Sequence, residues 1–349
     1  MASKSYHLII VESPSKAKTL KKFLGDKYLV EASVGHIRDL PKNDLGIDPD
    51  KKFKTKYVET ISKANLKILK DALKKSSELY LATDPDREGE AIAWHLVELL
   101  KPSIPVKRLV FHEITKDAIL DSFNNTRKVD TSLVNAQETR RIIDRLLGFP
   151  VSNKLWKNVS SGLSAGRVQS PAIKIVVDRE KERSGFVKSE YWSISANLIK
   201  NDIEFEAKLL ENNGKKIAVG KDFNKKNGKL TAKDKTLLDN TLSDSIVENL
   251  KSADWIVSDV QQKPYTQNPY PPFITSTLQQ DGIRKLHTSS KNIMRLAQNL
   301  YQAGYITYMR TDSINIADQA VEQIRNIIKK DNPANLPDKL RTYKNKVKN

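Results

Sequence analysis

The sequence predicts a multidomain chain: an α/β unit with a mainly parallel sheet, then a helical region, a β region and a further set of helices. Three observations carry this. Between residues 6 and 124 short apolar runs alternate with amphipathic helical patterns, and parallel strands need such crossover connections. From about 131 to 183 the apolar spacing turns helical. At 191–211 it changes to a period of two, in YWSISANLI and then IEFEAKLL, which predicts an antiparallel pair.

Each element has its own reason. YHLIIVE (6–12) reads as a short buried strand, and SPSKAKTLKKFL follows with Ser13 as N-cap and Pro14 at the first helical position. YLVEASV (28–34) is a second strand. Residues 37–58 are charged, contain Pro41, Gly46 and Pro49, and read as irregular. Ile61, Leu66, Leu69 and Leu73 predict an amphipathic helix over 60–75; ELYLAT (78–83) is a strand, 87–100 a strong helix, VKRLVF (106–111) a strand and 116–124 a helix. The helical stretch 131–183 is expected to break at GFPVS and at SSGLSAGRVQS. Residues 212–240, rich in Lys, Asn, Asp and Gly, read as hairpin and loop, and DWIVSDVQQ (254–262) as one more strand. PYTQNPYPPFITS (264–276) is a Pro-rich linker and a domain boundary. Helices are expected at 275–286, 289–303 and 316–330, with a short strand at 303–313 and a weakly structured basic end.

Composition narrows the function classes. At about 100–200 residues per domain, 349 residues predict two or three domains. Hydrophobic residues make up 38%, enough for packed cores. There is no cysteine, which excludes a disulfide scaffold, a thiolate zinc site and a cysteine nucleophile within these residues. No apolar run approaches the roughly 18 residues of a membrane span, and the N-terminal apolar stretch is too short for a signal peptide, with Glu12 following at once. Sixty Lys+Arg against 42 Asp+Glu leave a net charge of +18, which favours a polyanionic partner, nucleic acid first.

Asp84, Asp86 and Glu88 lie in ATDPDREGE, after a strand and at the start of a helix. Carboxylates at the C-terminal end of a parallel strand sit where α/β sheets bind ligands. Two aspartates this close repel unless a cation or proton intervenes, and hard oxygen donors suit Mg²⁺. Glu12 ends the first strand and reaches the same edge if the two strands are neighbours. The alternative is capping: Asp86 as N-cap, with Glu88 and Glu90 favouring the helix dipole. The spacing grazes a calcium-loop pattern, but His95 stands at the twelfth position and the helix begins too early, so an EF-hand is rejected.

Lys16 and Lys18 lie in the first turn after Glu12, where a lysine opposes the helix dipole and serves an anion or simply faces solvent. No Walker A motif is present. Arg140, Arg141 and Arg145 share one helix with Asp144; they contact phosphates or pair with acids three and four residues away. SAGRVQS (164–170) brings Arg167, Gln169 and Ser170 to a helix start after Gly166, a phosphate or base contact in outline. In AGYITYMRTDS (303–313), Tyr308 and Arg310 are two apart and would share one face of a strand. A phenol beside a guanidinium can attack phosphorus; the alternative is a tyrosine that merely packs.

IIVESPSKAK, LATDPDREGEAIAWH, FHEITK, GLSAGRVQS and GYITYMRTDS occur in this order, and together they resemble the type IA DNA topoisomerases of bacteria. The resemblance spans nearly the whole chain. It implies a Toprim (Rossmann-like) domain at 1–36 and 64–129, a helical DNA-binding region at 37–63 and 130–188, a partial β arch at 189–263 and a tyrosine-bearing domain at 264–349. It implies that Tyr308 attacks a DNA phosphodiester to give a 5′-phosphotyrosine and a free 3′-OH, that a second strand passes, and that the break reseals without ATP. Arg310 and Lys16 match residues that stabilise the scissile phosphate, and Glu12 the residue near the leaving 3′ oxygen, where it would serve as general acid. Mg²⁺ is implied at Asp84 and Asp86, with Glu88 and Glu12 adjoining. Arg140, Arg141, Asp144, Arg167, Gln169 and Ser170 match the region that grips single-stranded DNA. Phe149 stands where the family often has Tyr; it keeps a stacking ring and lacks the hydroxyl.

The implied partners are single-stranded and negatively supercoiled DNA, with no membrane, for a monomer of the bacterial cytoplasm associated with the nucleoid. The five histidines (7, 36, 95, 112, 287) include none after Tyr308, whereas the family has a further histidine-bearing motif, closes its β arch and adds zinc modules beyond. The chain is therefore expected to be an N-terminal fragment. Two other readings remain: a Toprim nuclease or primase-like enzyme, which shares the carboxylates but not the tyrosine, and a DNA-binding fragment without catalysis.

Overall fold

The structure, a computed structural model, describes residues 6–340 and 343. The chain divides into two compact units, one from Met1–Ser164 with Asn268–Asn349, the other Ala165–Gln267.

The first unit opens with β1 (Tyr6–Val11), α1 (Pro14–Phe23) and β2 (Tyr28–Ala32). The segment expected to be irregular carries four two-residue strands, β3 (Arg38–Asp39), β4 (Ile47–Asp48), β5 (Lys54–Thr55) and β6 (Val58–Glu59), paired antiparallel as β3 with β6 and β4 with β5. Then come α2 (Lys63–Lys74), β7 (Ser76–Leu81), α3 (Arg87–Leu100), β8 (Val106–Arg108), α4 (Lys116–Asn124) and α5 (Thr131–Asn158). The four longer strands form one parallel sheet in the order β2-β1-β7-β8. Glu12 and Asp84 therefore leave adjacent strands at one edge. β8 stops at Arg108, opposite Leu81 at the end of β7 and shorter than its apolar run to Phe111 suggests; Leu109 and Phe111 join the core as loop residues.

The break expected at GFPVS is absent: α5 runs on through Pro150. An interior proline removes one backbone bond at about 3 kcal/mol. A 28-residue helix anchored against α3 retains the rest.

In the second unit, α6 (Gln169–Ser184) is followed by the expected antiparallel pair, β9 (Ser195–Lys200) with β10 (Ile203–Lys208), and the small hairpin of β11 (Glu211–Asn212) with β12 (Lys215–Lys216). A helix not expected from the sequence, α7 (Asn240–Lys251), is capped by Asp239, whose side chain accepts from the Leu242 amide. The strand expected at 254–262 does not form. Trp255, Ile256, Val257 and Val260 are exposed, and among the described residues no neighbour pairs with them; a strand needs a partner for its ladder.

The chain returns to the first unit with α8 (Thr275–Leu286), α9 (Ser290–Gln302) and α10 (Asp318–Asp331). The sheet explains why. Leu8 and Ile10 of β1 face one side, packed with Leu69 of α2 and Ile92 and Leu96 of α3. Ile9 and Val11 face the other, packed with Ala17 and Leu20 of α1, Ile119 of α4, and then Ala297, Tyr301, Tyr308 and Met309. A parallel sheet must be covered on both faces, and part of the second cover is chain nearly 300 residues downstream. The strand expected at 303–313 is likewise absent. There the Tyr308 amide bonds to the His112 carbonyl at 2.8 Å, and Thr275 Oγ1 donates to the Met309 carbonyl at 2.8 Å and accepts from the Thr311 amide at 3.0 Å. These bonds satisfy the segment without a ladder.

Candidate active site

The turn between β7 and α3 carries the acidic cluster. Asp86 is the N-cap of α3, its Oδ1 accepting from the Gly89 amide at 2.8 Å, and Thr83 Oγ1 donates to the Gly89 carbonyl at 2.6 Å. Gly89 is required by proximity: a Cβ there would lie 2.1 Å from the Asp84 carbonyl oxygen. The capping reading of Asp86 is thus correct, but it uses only one of the two carboxylate oxygens.

Glu12 and Lys16 arrive from β1 and α1. Ser13 caps α1 by accepting from the Lys16 amide at 3.3 Å, and the Lys16 side chain turns inward. It is fully buried, not on a solvated face, while Lys18 is exposed. The Lys16 ammonium donates to Glu12 Oε2 at 3.3 Å and to Asp84 Oδ1 at 3.1 Å, and stands over the Phe111 ring at 4.9 Å. Burial pushes the Glu12 carboxyl up to about 7, against the pull of Lys16 and with the added push of Asp84.

Tyr308 completes the cleft. It is only 6% exposed, its ring meets Tyr301 edge-on at 5.0 Å, and its hydroxyl donates to Asp86 Oδ2 at 2.5 Å. Burial holds the phenol above its ordinary range, and the Asp86 bond and the charges of Asp86 and Asp84 add to this; Arg310 pulls the other way. Arg310 donates to Glu88 Oε2 at 2.6 Å and lies 3.6 Å from Asp86 Oδ2. Glu12, Asp84, Asp86, Glu88, Tyr308 and Arg310 all line one cleft of about 350 Å³. The acidic edge, Arg310 and the Tyr308 phenol thus converge on one cleft, with Lys16 buried against Glu12 and Asp84.

The resemblance implies Mg²⁺ at Asp84 and Asp86, with Glu88 and Glu12 adjoining. Among the described residues no three acidic or histidine side chains are grouped to hold an ion. Lys16 stands between Glu12 and Asp84, and Asp86 and Glu88 are engaged by Tyr308 and Arg310. The donor chemistry still fits a hard cation in a looser way. Mg²⁺ keeps several waters and takes one or two carboxylates, and Glu12 Oε1 is buried with no hydrogen-bond partner.

The DNA-binding candidates separate. Arg141, Asp144 and Phe149 line a second cleft of about 340 Å³ with Lys42, Arg145 and Trp156, where the Arg145 guanidinium lies over the Phe149 ring at 5.6 Å. Arg141 is held by Asp39, at 2.6 Å and 2.7 Å from its two oxygens, and so is not a freely offered charge. Arg140 lines a third cleft with Asp86, Arg87, Glu88, Gln137 and Arg310. Arg167, Gln169 and Ser170 belong to the second unit, where Gln169 begins α6 and Ser170 Oγ accepts from the Gly166 amide at 3.4 Å. Sequence reasoning missed Trp156 in the second cleft and Tyr301, buried against the Tyr308 ring beside the first. Tyr301 has a signal, since Ile293, Ala297 and Tyr301 recur on one face of α9.

Residues 128–349 match a family model described as DNA topoisomerase, and residues 7–114 match the Toprim domain. The chain is 47% identical over 337 residues to DNA topoisomerase 1 of Synechococcus elongatus, covering 92% of this chain and 38% of that protein. It is 48% identical over 364 residues to the Streptomyces coelicolor protein of the same name, covering 98% and 38%. The full-length topoisomerase I of Thermotoga maritima superposes with a TM-score of 0.76 at 38% identity, over 93% of this chain and 52% of that one. The chain thus spans 38% of the length of these curated relatives.

Proposed function

The chain belongs to the bacterial type IA DNA topoisomerases, and from that premise we propose that it cuts one DNA strand with Tyr308 as nucleophile and reseals it after strand passage. The observation that carries the reading is the Tyr308 hydroxyl, buried in the acidic cleft and bonded to Asp86 with Arg310 alongside.

The Tyr308 oxygen attacks phosphorus and its proton passes to Asp86, the carboxylate it already touches. The P–O3′ bond breaks, leaving a 5′-phosphotyrosine, and the departing 3′ oxygen takes a proton from Glu12. With its carboxyl at about 7, Glu12 is close to half protonated near neutral pH, which suits a group that gives a proton in one direction and recovers it in the other. Arg310 and Lys16 steady the charge that develops on the phosphate. The ester is exchanged rather than hydrolysed, so resealing needs no ATP. Asp84 and Asp86, with Glu88 and Glu12 adjoining, would hold Mg²⁺, which supplies positive charge against the DNA phosphates. Arg140, Arg141, Asp144, Phe149, Arg167, Gln169 and Ser170 would grip the single strand, and the proposed substrate is negatively supercoiled DNA acted on by a monomer. Among the described residues no helix is long and apolar enough to cross a membrane; a place in the cytoplasm with the nucleoid is part of the proposal.

The test uses a 3′-labelled single-stranded oligonucleotide with Mg²⁺, denatured after incubation. Label attached to protein, and lost in Tyr308→Phe, is expected. Hydrolytic products that survive Tyr308→Phe would instead mark a Toprim nuclease, and binding without cleavage a purely DNA-binding chain.

A further inference from the structure

Arg108, the last residue of β8, has no part in the chemistry above, yet it is the largest fully buried side chain among the described residues. Its Nε donates to Glu90 Oε2 at 3.0 Å. Its Nη1 reaches the carbonyl oxygens of Leu81 at 3.1 Å, Thr83 at 2.9 Å and Leu109 at 2.5 Å, and its Nη2 donates to the Asp84 carbonyl at 2.8 Å. The guanidinium is therefore spent almost wholly on the backbone where β7 gives way to the turn that carries Asp84 and Asp86. Glu90, itself buried, is also filled: Arg127 donates to both oxygens, at 2.7 Å and 2.9 Å, and the Asp130 amide at the cap of α5 donates at 2.7 Å.

A buried ion pair is by itself a weak source of stability. This one does something a point charge cannot. A planar fork with five donors can hold carbonyls lying in several directions at once, whereas an ammonium offers its three donors from a single atom. The Asp84 carbonyl is caught between Arg108 Nη2 and the close approach of Gly89. Its direction fixes where the Asp84 side chain meets Lys16 and, two residues on, where Asp86 meets Tyr308.

We propose that Arg108 is a positioning residue for the cleavage step, its guanidinium holding the Thr83 and Asp84 carbonyls so that Asp84 and Asp86 face Lys16 and Tyr308. The proposal rests on Tyr308 being the nucleophile.

The test compares the unsubstituted chain with Arg108→Lys, which keeps the charge opposite Glu90 but not the fork. Hydrogen exchange is read by mass spectrometry, oligonucleotide affinity by titration, and adduct formation in a single turnover. Exchange is expected to rise in 82–89 while β1 stays protected. Affinity should stay within roughly threefold and the adduct rate should fall by about tenfold or more, since small misplacements of reacting groups are costly. An unchanged adduct rate overturns the proposal. So does protection lost evenly over β1 and β7, or failure to fold, either of which would make Arg108 a residue of the fold at large. Glu90→Gln is the second variant. It removes the charge and leaves the carbonyl bonds, so its adduct rate should stay within roughly threefold; a fall as large as that of Arg108→Lys would overturn the fork argument. If Tyr308 is not the nucleophile, the unsubstituted chain itself gives no adduct, and that failure is seen apart from any effect at Arg108.

Discussion

The Tyr308 hydroxyl donates to Asp86 Oδ2 at 2.5 Å across 222 residues of chain, while Oδ1 of the same carboxylate caps α3 through the Gly89 amide at 2.8 Å. One side chain thus anchors a helix and, in the proposed mechanism, receives the nucleophile's proton, and substitution can separate the two duties. Asparagine caps helices as well as aspartate, and alanine does not. Asp86→Ala should cost about 1 kcal/mol of stability in denaturant unfolding. Asp86→Asn should cost much less. Both should slow adduct formation by about a hundredfold. An Asn variant that cleaves at the unsubstituted rate would remove Asp86 from the proton path.

Lys16 has a different balance of roles. It is fully buried between Glu12 and Asp84. Removing one partner of a buried pair leaves uncompensated charge, at about 3–5 kcal/mol. Lys16→Met should therefore destabilise the chain by about that amount at pH 8 and by less at pH 5, where Glu12 is protonated and needs no partner. Chemical denaturation at the two pH values tests this, and equal losses at both would contradict it.

His95, on α3, supplies a pH dependence away from the cleft. Burial holds its imidazole down to about 4, with Arg38 and His36 adding to the effect and Asp39 opposing it. An unfolded histidine titrates near 6.5. Between these values the unfolded chain binds the extra proton, so the contribution of neutral His95 is fully present above pH 6.5 and is lost as pH falls through 4. The drop from 6.5 to about 4 corresponds to about 3 kcal/mol. His95→Gln should show a flatter stability profile over that window than the unsubstituted chain; parallel profiles would exclude the effect.

Phe149 in the second cleft and Arg140 in the third separate stacking from charge. If a base stacks on Phe149, Phe149→Ala should weaken single-strand binding by about 1–3 kcal/mol and leave its salt dependence unchanged. Arg140→Ala should instead lower the slope of log affinity against log salt by roughly 0.7, the loss of one phosphate contact on a single strand. Titrations at three salt concentrations separate the two, and a Phe149→Ala effect that vanished at high salt would count against stacking.

Much of this was legible in the residues. The alternating pattern over 6–124 predicts a parallel sheet because each strand is buried on both faces and each helix shows one apolar stripe. Asp84, Asp86 and Glu88 are marked as a site by their position between strand and helix, which is local information. Local pattern failed where pairing decides the outcome. The apolar runs at 254–262 and 303–313 have strand-like residues, but a strand exists only with a neighbour, and α7 depends on a cap at Asp239 that no long apolar stripe advertises.

The sequence by itself determined the sheet, the caps at Ser13 and Asp86, and the inventory of charge, because these depend on residues within a few positions of one another. Only the tertiary structure decided that Tyr308 lies against Asp86, that Lys16 is buried rather than solvated, and that Arg108 spends its donors on the turn. Those outcomes follow from covering both faces of the β1 sheet, a requirement met by chain nearly 300 residues away. Burial beneath that cover is also what lifts Glu12 to about 7 and turns a set of ordinary acids and bases into a candidate site.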